Sequence, residues 1–142
     1  MAAMSRRAAV LRELAVAAIL VGTLASCASQ PFPIYDVRQE ESDVLPSEVL
    51  DGSPDLVLDG ASSRWVGEYS GVTFYLVRAE GRHGDPDQCL AVVYDDTWLV
   101  SCSSGLPLEV SLPNGVTAQL VSAPAVETEQ WLPVSDYVRV EK

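Results

Sequence analysis

The sequence predicts a mainly β protein: a small antiparallel sheet, curled into a sandwich or a partly closed barrel, after a mostly irregular N-terminal tether with at most one short helix. From about residue 63, short runs of β-favouring residues alternate with turn-forming Gly, Pro, Asn and Asp, as in an antiparallel meander. Residues 28–60 instead contain four prolines among many carboxylates, which exclude a long regular element. The fold should therefore form mainly from the second half of the chain.

Residues 1–26 are predicted to be a secretory signal peptide. A basic segment precedes an apolar run of eleven residues, 14–24, which is long enough for a signal peptide and too short to cross a bilayer. Directly after this run stand Leu24-Ala25-Ser26-Cys27. This order resembles the signal and lipobox of bacterial lipoproteins, in which the cysteine is acylated and becomes the first residue of the mature chain.

The resemblance implies lipid attachment at Cys27 through a diacylglyceryl thioether, with palmitate as the expected type of acyl chain. The protein would then be extracytoplasmic and anchored to the cell membrane of a bacterial envelope, since two acyl chains suffice for stable anchoring. Cleavage at the same small residues without lipidation and an uncleaved anchor are the alternatives. All three place the folded part outside the cytoplasm.

Three regions follow along the chain: the signal peptide (1–26), an acidic proline-containing tether (27–60) and a disulfide-braced β domain (61–142). Within the tether, loosely spaced apolar residues over 34–45 predict a short helix that ends at Pro46. The alternation of β-favouring runs and turn residues predicts strands near 63–69, 72–79, 88–94, 97–102, 107–112, 115–122 and 135–141.

Two cysteines remain once Cys27 is assigned to lipid, and an oxidising compartment favours a disulfide between Cys89 and Cys102. The segments on either side of Asp95-Asp96 predict two strands joined by a two-residue turn. Counting outward from that turn places the cysteines opposite each other in a non-hydrogen-bonded pair, with Cα atoms about 4.5 Å apart, which a disulfide can bridge. A metal site would need more ligands, and a redox pair is usually Cys-x-x-Cys.

Side-chain alternation assigns further positions within the sheet. The hairpin 88–102 is apolar on both faces, which predicts a central place. Pro113-Asn114-Gly115 predicts a three-residue loop with Gly115 in the left-handed conformation, because a two-residue loop would mismatch the apolar faces of its strands. The strand at 135–141 alternates polar and apolar residues, as expected of a half-exposed edge.

The chain is strongly acidic, with a formal net charge of -11 at pH 7. Loss of the signal peptide would remove three arginines and one glutamate, which leaves six basic against nineteen acidic side chains. Binding of nucleic acid or anionic headgroups needs clustered Lys and Arg, so we predict no nucleic-acid partner. The acidity either keeps the protein soluble or matches a cationic partner or divalent cations.

No catalytic residue, metal site or cofactor is predicted, and the protein is expected not to be an enzyme. His83, the single histidine, lies near Asp85 and Asp87 in the sequence. It could act as a base or a metal ligand, but the sequence favours a solvated loop residue. No motif of an activated nucleophile occurs. The acidic group Glu40, Glu41 and Asp43 lacks the spacing of a calcium loop.

The three tryptophans are core residues or, alternatively, part of an aromatic platform for a sugar or a protein. Trp98 is predicted to pair with Val93 on the disulfide face and to be buried. Trp131, between a polar connection and Pro133, is predicted to be the exposed ring.

The cysteine hairpin with Trp98 resembles small exported actinobacterial proteins of unknown function, and this resemblance implies no activity. The leading hypothesis is a lipid-anchored binding or structural module of the cell envelope, with an envelope protein or a cell-wall component as its ligand. The first alternative is a secreted inhibitor-like module that presents the disulfide-braced hairpin at Asp95-Asp96. The second is a small hydrolase.

Overall fold

A computed structural model describes residues 32–81, 84–122 and 124–142. The predictions for the signal peptide, Cys27 and His83 lie outside these residues. In chain order the described elements are 3-10 helices Pro33–Asp36 and Glu41–Asp43, helix α1 (Ser47–Asp51), and strands β1 (Leu58–Tyr69), β2 (Val72–Ala79), β3 (Asp87–Tyr94), β4 (Thr97–Ser103), β5 (Leu108–Ser111), β6 (Thr117–Leu120), β7 (Trp131–Pro133) and β8 (Val138–Glu141).

The strands form two four-stranded antiparallel sheets. Sheet 1 has the order β1-β2-β3-β4, and sheet 2 has the order β5-β6-β8-β7. The predicted mainly β fold is therefore confirmed. In the part of the chain that the structure describes, the strands form two separate sheets and do not close into a barrel.

The two loops whose geometry was predicted, Asp95-Asp96 and Pro113-Asn114-Gly115, have that geometry. Tyr94 pairs with Thr97, and this register places Cys89 opposite Cys102. In the loop between β5 and β6, the Leu112 amide donates a hydrogen bond to the Val116 carbonyl at 2.8 Å, and Gly115 has a φ of 83°. This left-handed conformation is accessible to glycine at no steric cost.

One face of sheet 1 and the inner face of sheet 2 share a hydrophobic core, as in a β-sandwich. Its buried members are Phe32, Val66, Val72, Phe74, Leu76, Leu90, Val92, Val110, Leu112, Ala118, Leu120, Val138 and Val140. The other face of sheet 1 carries a second cluster, in which Val77, Ala79, Cys89 and Ala91 pack with Leu45 and Val49. Sheet 1 is therefore covered on both faces, which explains why β3 is apolar on both sides.

The segment before β1 differs from the expected tether, because from Phe32 onward it packs against the sheets. Phe32 is 0% exposed, Leu45 2% and Val49 1%. The helix predicted over 34–45 is wrong, since that stretch forms two 3-10 turns and α1 begins only after Pro46. Pro46 is the N-cap of α1, and its carbonyl accepts a hydrogen bond from the Val49 amide at 3.0 Å. Proline also disfavours the helical conformation in the residue before it, so a helix cannot easily continue from 34–45 into α1.

The strand order also corrects two sequence-based expectations. Strand β8 lies between β6 and β7, so the edge position predicted for the strand at 135–141 is wrong. The edge strands of sheet 2 are β5 and β7. Strand β7 is short and contains Pro133, and proline is tolerated at an edge because its missing amide faces outward. Of the predicted central hairpin, β3 is internal and β4 lies at the edge of sheet 1.

Candidate functional site

The disulfide braces the β3–β4 hairpin at a distance from its tip. Cys89 and Cys102 are bonded, with their Cα atoms 4.0 Å apart, and Cys89 is completely buried in the second cluster. The predicted pairing is thus present. The disulfide joins β4, an edge strand, covalently to β3 in the interior of sheet 1. The residues near the turn are therefore held on a rigid hairpin.

Two turns lie together at one end of sheet 1, which we call the hairpin end. Val72, the first residue of β2, pairs with Tyr94 at the last position of β3. The β1–β2 turn and the Asp95-Asp96 turn are therefore level with each other. We call the opposite end, where Ala79 pairs with Asp87, the linker end. At about 3.3 Å per residue, the seven steps from Asp87 to Tyr94 separate the two ends by about 23 Å.

A cavity of about 350 Å³ lies between α1 and the hairpin end, and we call it the Trp98 cavity. Its lining residues are Pro46, Glu48, Val49, Val93, Asp95, Asp96, Thr97 and Trp98. The cavity is formed jointly by residues that are far apart in sequence: the hairpin supplies one wall, and the turn that precedes α1 together with α1 itself supplies the other.

The indole of Trp98 is half-buried and is positioned by the C-terminus of α1. A methyl group added at Gly52, the C-cap of α1, would collide with the Trp98 ring. The absence of a side chain at this position therefore lets the ring lie directly on the helix end. Trp98 pairs with Val93 as predicted, but it is partly exposed to the cavity, so the prediction of a buried ring is wrong.

The Trp98 cavity is negatively charged. Glu48, Asp95 and Asp96 are exposed at its rim, and none of its lining residues is basic. Within residues 32–81, 84–122 and 124–142, none of these three carboxylates forms an ion pair. Glu48 accepts a hydrogen bond from the Ser47 hydroxyl at 3.5 Å, which leaves its charge in place. The cavity can therefore attract a cation.

The other acidic residues singled out in the sequence have structural roles or lie apart. Asp43 accepts hydrogen bonds from the amides of Glu40 at 2.8 Å and Trp65 at 3.0 Å, so it caps a turn and joins it to β1. Asp85 is exposed in the loop before β3, and Asp87 is the first residue of β3. No group of three or more His, Cys, Asp or Glu side chains in the described ranges is placed to hold a metal ion.

The exposed tryptophan is Trp65 and not Trp131, so that prediction is wrong. Trp65 is 45% exposed. Trp131 is half-buried, with the Arg139 guanidinium 4.9 Å from its ring centroid. Pro133 pairs with Arg139 across β7 and β8, and this register brings the cation to the ring. Such stacking is expected to be favourable by about 0.5–1 kcal/mol at an exposed site.

A buried polar cluster, unanticipated from the sequence, attaches the N-terminal segment to β1. Arg64 is 6% exposed and donates hydrogen bonds to the carbonyls of Val37 at 2.6 Å and Ser63 at 2.7 Å. The Gln39 amide donates to the Gly60 carbonyl at 2.9 Å, and the Ser63 hydroxyl donates to the Asp43 carbonyl at 2.7 Å. The irregular pairing of β1 between Asp59 and Arg64 turns these groups inward.

Tyr35 lies beside this cluster, toward the linker end. Its ring is 4.2 Å from the Arg78 guanidinium, and Arg78 pairs with Gln88 near the end of β2. Burial raises the pKa of the Tyr35 hydroxyl, and the positive charges of Arg78 and Arg64 oppose this effect only in part. Among the described residues this hydroxyl has no hydrogen-bond partner.

Comparison of the chain with protein-family models, with curated proteins and with solved structures finds no match. In the ranges that the structure describes, no helix has the length and apolarity needed to cross a bilayer. The Trp98 cavity at the hairpin end is the feature that combines an aromatic wall, an apolar floor and uncompensated charge. It is therefore the candidate binding site.

Proposed function

We propose that this protein is a lipid-anchored, extracytoplasmic component of a bacterial cell envelope, attached through Cys27, and that its β-sandwich is a non-enzymatic binding module. The lipobox-like sequence before Cys27 supports the anchor. The disulfide supports an oxidising compartment, because structural disulfides persist there and are rare in the cytosol. The partner is an envelope protein or a wall component that meets the hairpin end.

The lipobox-like residues before Cys27 carry this proposal, and the position of Phe32 determines how close such an anchor would hold the fold. Phe32 is completely buried, and its ring packs edge-on against Tyr137 at 5.4 Å and Tyr35 at 6.1 Å between centroids. Cys27 lies only five residues earlier, and five residues span at most about 18 Å. We call residues 28–31 the linker. A lipid on Cys27 would therefore hold the fold close to the membrane surface.

The same contacts orient the fold. Phe32 contacts Tyr35, and Tyr35 contacts Arg78 at the linker end of sheet 1. These contacts support an arrangement in which the chain enters the body nearer the linker end than the Asp95-Asp96 turn. The hairpin end, about 23 Å away along the strands, would face away from the bilayer, where a soluble domain or the wall can reach it.

The charge of the body agrees with this arrangement. With nineteen acidic and six basic side chains after Cys27, an anionic leaflet repels the surface, so the lipid and not the protein surface would hold the module at the membrane. The hairpin gives less support to an inhibitor-like role, because its tip is level with the neighbouring β1–β2 turn and does not protrude beyond it.

The anchor is tested by replacing the proposed lipid-bearing residue. Cys27→Ser is expected to abolish incorporation of a radiolabelled fatty acid and to move the protein out of the membrane fraction. Ser29→Ala, two residues later, is the matched control and should leave both unchanged. Acylation of the Cys27→Ser chain at the level of the control would refute the anchor.

The orientation is tested separately, with the lipidated protein in vesicles that carry a quencher on their headgroups. A fluorophore attached through Asp96→Cys at the hairpin tip should be quenched less than one attached through Glu80→Cys beside the linker end. Both positions are exposed. Equal quenching, or stronger quenching at position 96, would show that the module does not present its hairpin end outward.

A further inference from the structure

We propose that the Trp98 cavity binds a basic side chain, lysine or arginine, displayed by a partner protein. This inference rests on the proposed function and deepens it, because it names the chemistry that the outward-facing end recognises. It follows from three independent properties of the cavity: an aromatic wall, an apolar floor and a rim of unpaired carboxylates.

The aromatic wall is suited to a cation. The indole of Trp98 is partly open to the cavity and its position is fixed by contact with Gly52. Tryptophan attracts ammonium and guanidinium groups to its ring face more strongly than the other aromatic residues. A ring that is already in position loses little conformational freedom on binding. The indole therefore favours a ligand whose positive charge contacts the ring.

The floor is suited to the stem of a long basic side chain. Pro46 and Val93, which are half-buried, supply apolar surface beside Trp98, and Val49, which is almost completely buried, also lines the cavity. Lysine and arginine bury their methylene stems along apolar surface while they keep the charged head in a polar environment. A small inorganic cation would gain nothing from these groups, whereas an alkyl chain would.

The rim supplies the electrostatic selectivity. The three carboxylates are Glu48, on α1, and Asp95 and Asp96, at the hairpin tip. They belong to two different elements that line the cavity, so its negative charge comes from both walls. No basic lining residue competes for them, and the excess of nineteen acidic over six basic side chains from Cys27 onward would speed the approach of a cationic partner. Neutral and anionic side chains lack this attraction.

A protein is the occupant that fits the location. The metal alternative has no support in the described ranges, because their His, Cys, Asp and Glu side chains are not grouped to share one ion. The cavity lies at the end of sheet 1 opposite the linker, beyond the reach of headgroup amines in the proposed orientation. A lysine or arginine on a soluble or wall-associated protein can reach it there.

The experiment uses the exported protein, purified as cells produce it and labelled with ¹⁵N. The peptides acetyl-Gly-Arg-Gly-amide and acetyl-Gly-Lys-Gly-amide are titrated while the indole N–H signal of Trp98 is followed. Trp65→Phe and Trp131→Phe variants assign that signal. We expect a saturable shift of the Trp98 signal with both peptides and weaker binding at high salt. The peptide with citrulline, a neutral isostere of arginine, should bind about tenfold more weakly, a factor that corresponds to about 1.4 kcal/mol.

Variants separate recognition from stability. Asp96→Asn and Glu48→Gln each remove one rim charge while keeping the shape of the side chain, and each should weaken binding of the arginine peptide severalfold. Glu68→Gln removes an exposed carboxylate of β1 outside the cavity and should leave the affinity unchanged. Circular dichroism and an intact disulfide verify the fold of each variant.

The proposal would be overturned by the absence of a saturable shift of Trp98 up to millimolar peptide, or by equal affinity for the arginine and citrulline peptides. Equal weakening by Glu68→Gln and Asp96→Asn would also overturn it, because it would indicate attraction by the overall charge alone. These measurements do not involve the lipid, so their failure is distinguishable from failure of acylation at Cys27. Conversely, an unacylated protein could still bind the peptide.

Discussion

Replacing Phe32 with alanine is expected to destabilise the entire sandwich, although Phe32 lies in the segment that the sequence presents as a tether. Its side chain is 0% exposed and belongs to the core shared by both sheets. Phe→Ala substitutions at such sites cost about 3–5 kcal/mol, from lost transfer energy and the cavity left behind. The loss of two edge-on ring contacts, with Tyr35 and Tyr137, is part of this cost.

The magnitude is large in relation to the expected stability. A domain of this size is stable by about 5–15 kcal/mol, so the substitution would remove a third or more of the free energy of unfolding in the middle of that range. For a urea m-value of about 2 kcal/mol/M, a loss of 4 kcal/mol lowers the unfolding midpoint by about 2 M. Tryptophan fluorescence and circular dichroism of the purified protein would report this shift.

Val37→Ala provides the matched control in the same segment. Val37 is 61% exposed, and exposed substitutions of this kind change stability by less than about 0.5 kcal/mol. A Phe32→Ala protein whose midpoint equals that of Val37→Ala would show that residues before β1 do not belong to the folded body. The account of how the linker orients the module would then fail as well.

Three further predictions concern the disulfide, a buried hydroxyl and a helix end. Reduction of the Cys89–Cys102 bond, whose residues are 13 apart, should lower the free energy of unfolding by about 3 kcal/mol in the chain-entropy model, measured as a lower urea midpoint. Tyr35→Phe removes a buried hydroxyl without a partner among the described residues, so stability at pH 7 should rise by about 1 kcal/mol. Burial raises the pKa of Tyr35, so as the pH rises this hydroxyl ionises in the unfolded chain before it ionises in the native protein. The native protein should therefore lose stability as the pH rises above about 10, and the phenylalanine variant should lose less. Gly52→Ala should displace the Trp98 ring and alter both the tryptophan emission and peptide binding.

Each of these has a clear contradicting result. A double alanine variant of the two cysteines controls for other effects of the reductant, and a wild-type midpoint that reductant leaves unchanged would refute the stabilising role of the disulfide. A less stable Tyr35→Phe protein at neutral pH would show that the hydroxyl is bonded. Unchanged Trp98 spectra in Gly52→Ala would mean that the helix end does not position the indole.

The sequence predicted the parts of the fold that local chemistry determines. The two-residue turn at Asp95-Asp96 set the register of the hairpin and hence the pairing of Cys89 with Cys102. The requirement that apolar faces match gave Gly115 its left-handed conformation. In both cases a short stretch of chain contained all the necessary information, since strand alternation and turn geometry act over a few residues.

The remainder depends on contacts between distant residues. Phe32 stands among prolines without any apolar periodicity, so nothing local marks it as part of the core. Asp95 and Asp96 were recognised as a turn, but the cavity beside them exists only because α1 packs against the hairpin. Trp131 was expected to be exposed, and the register of β7 with β8 brings Arg139 over its ring.

The buried cluster around Arg64 has a mechanical consequence. Tension applied at Phe32 would act on its buried ring and on the segment that Arg64, Gln39 and Ser63 join to β1. These hydrogen bonds lie beside the stretch of β1 between Asp59 and Arg64 where the pairing with β2 is irregular. Separation of the N-terminal segment would therefore remove core packing and the polar contacts of β1 together, so the segment and sheet 1 should unfold as one unit.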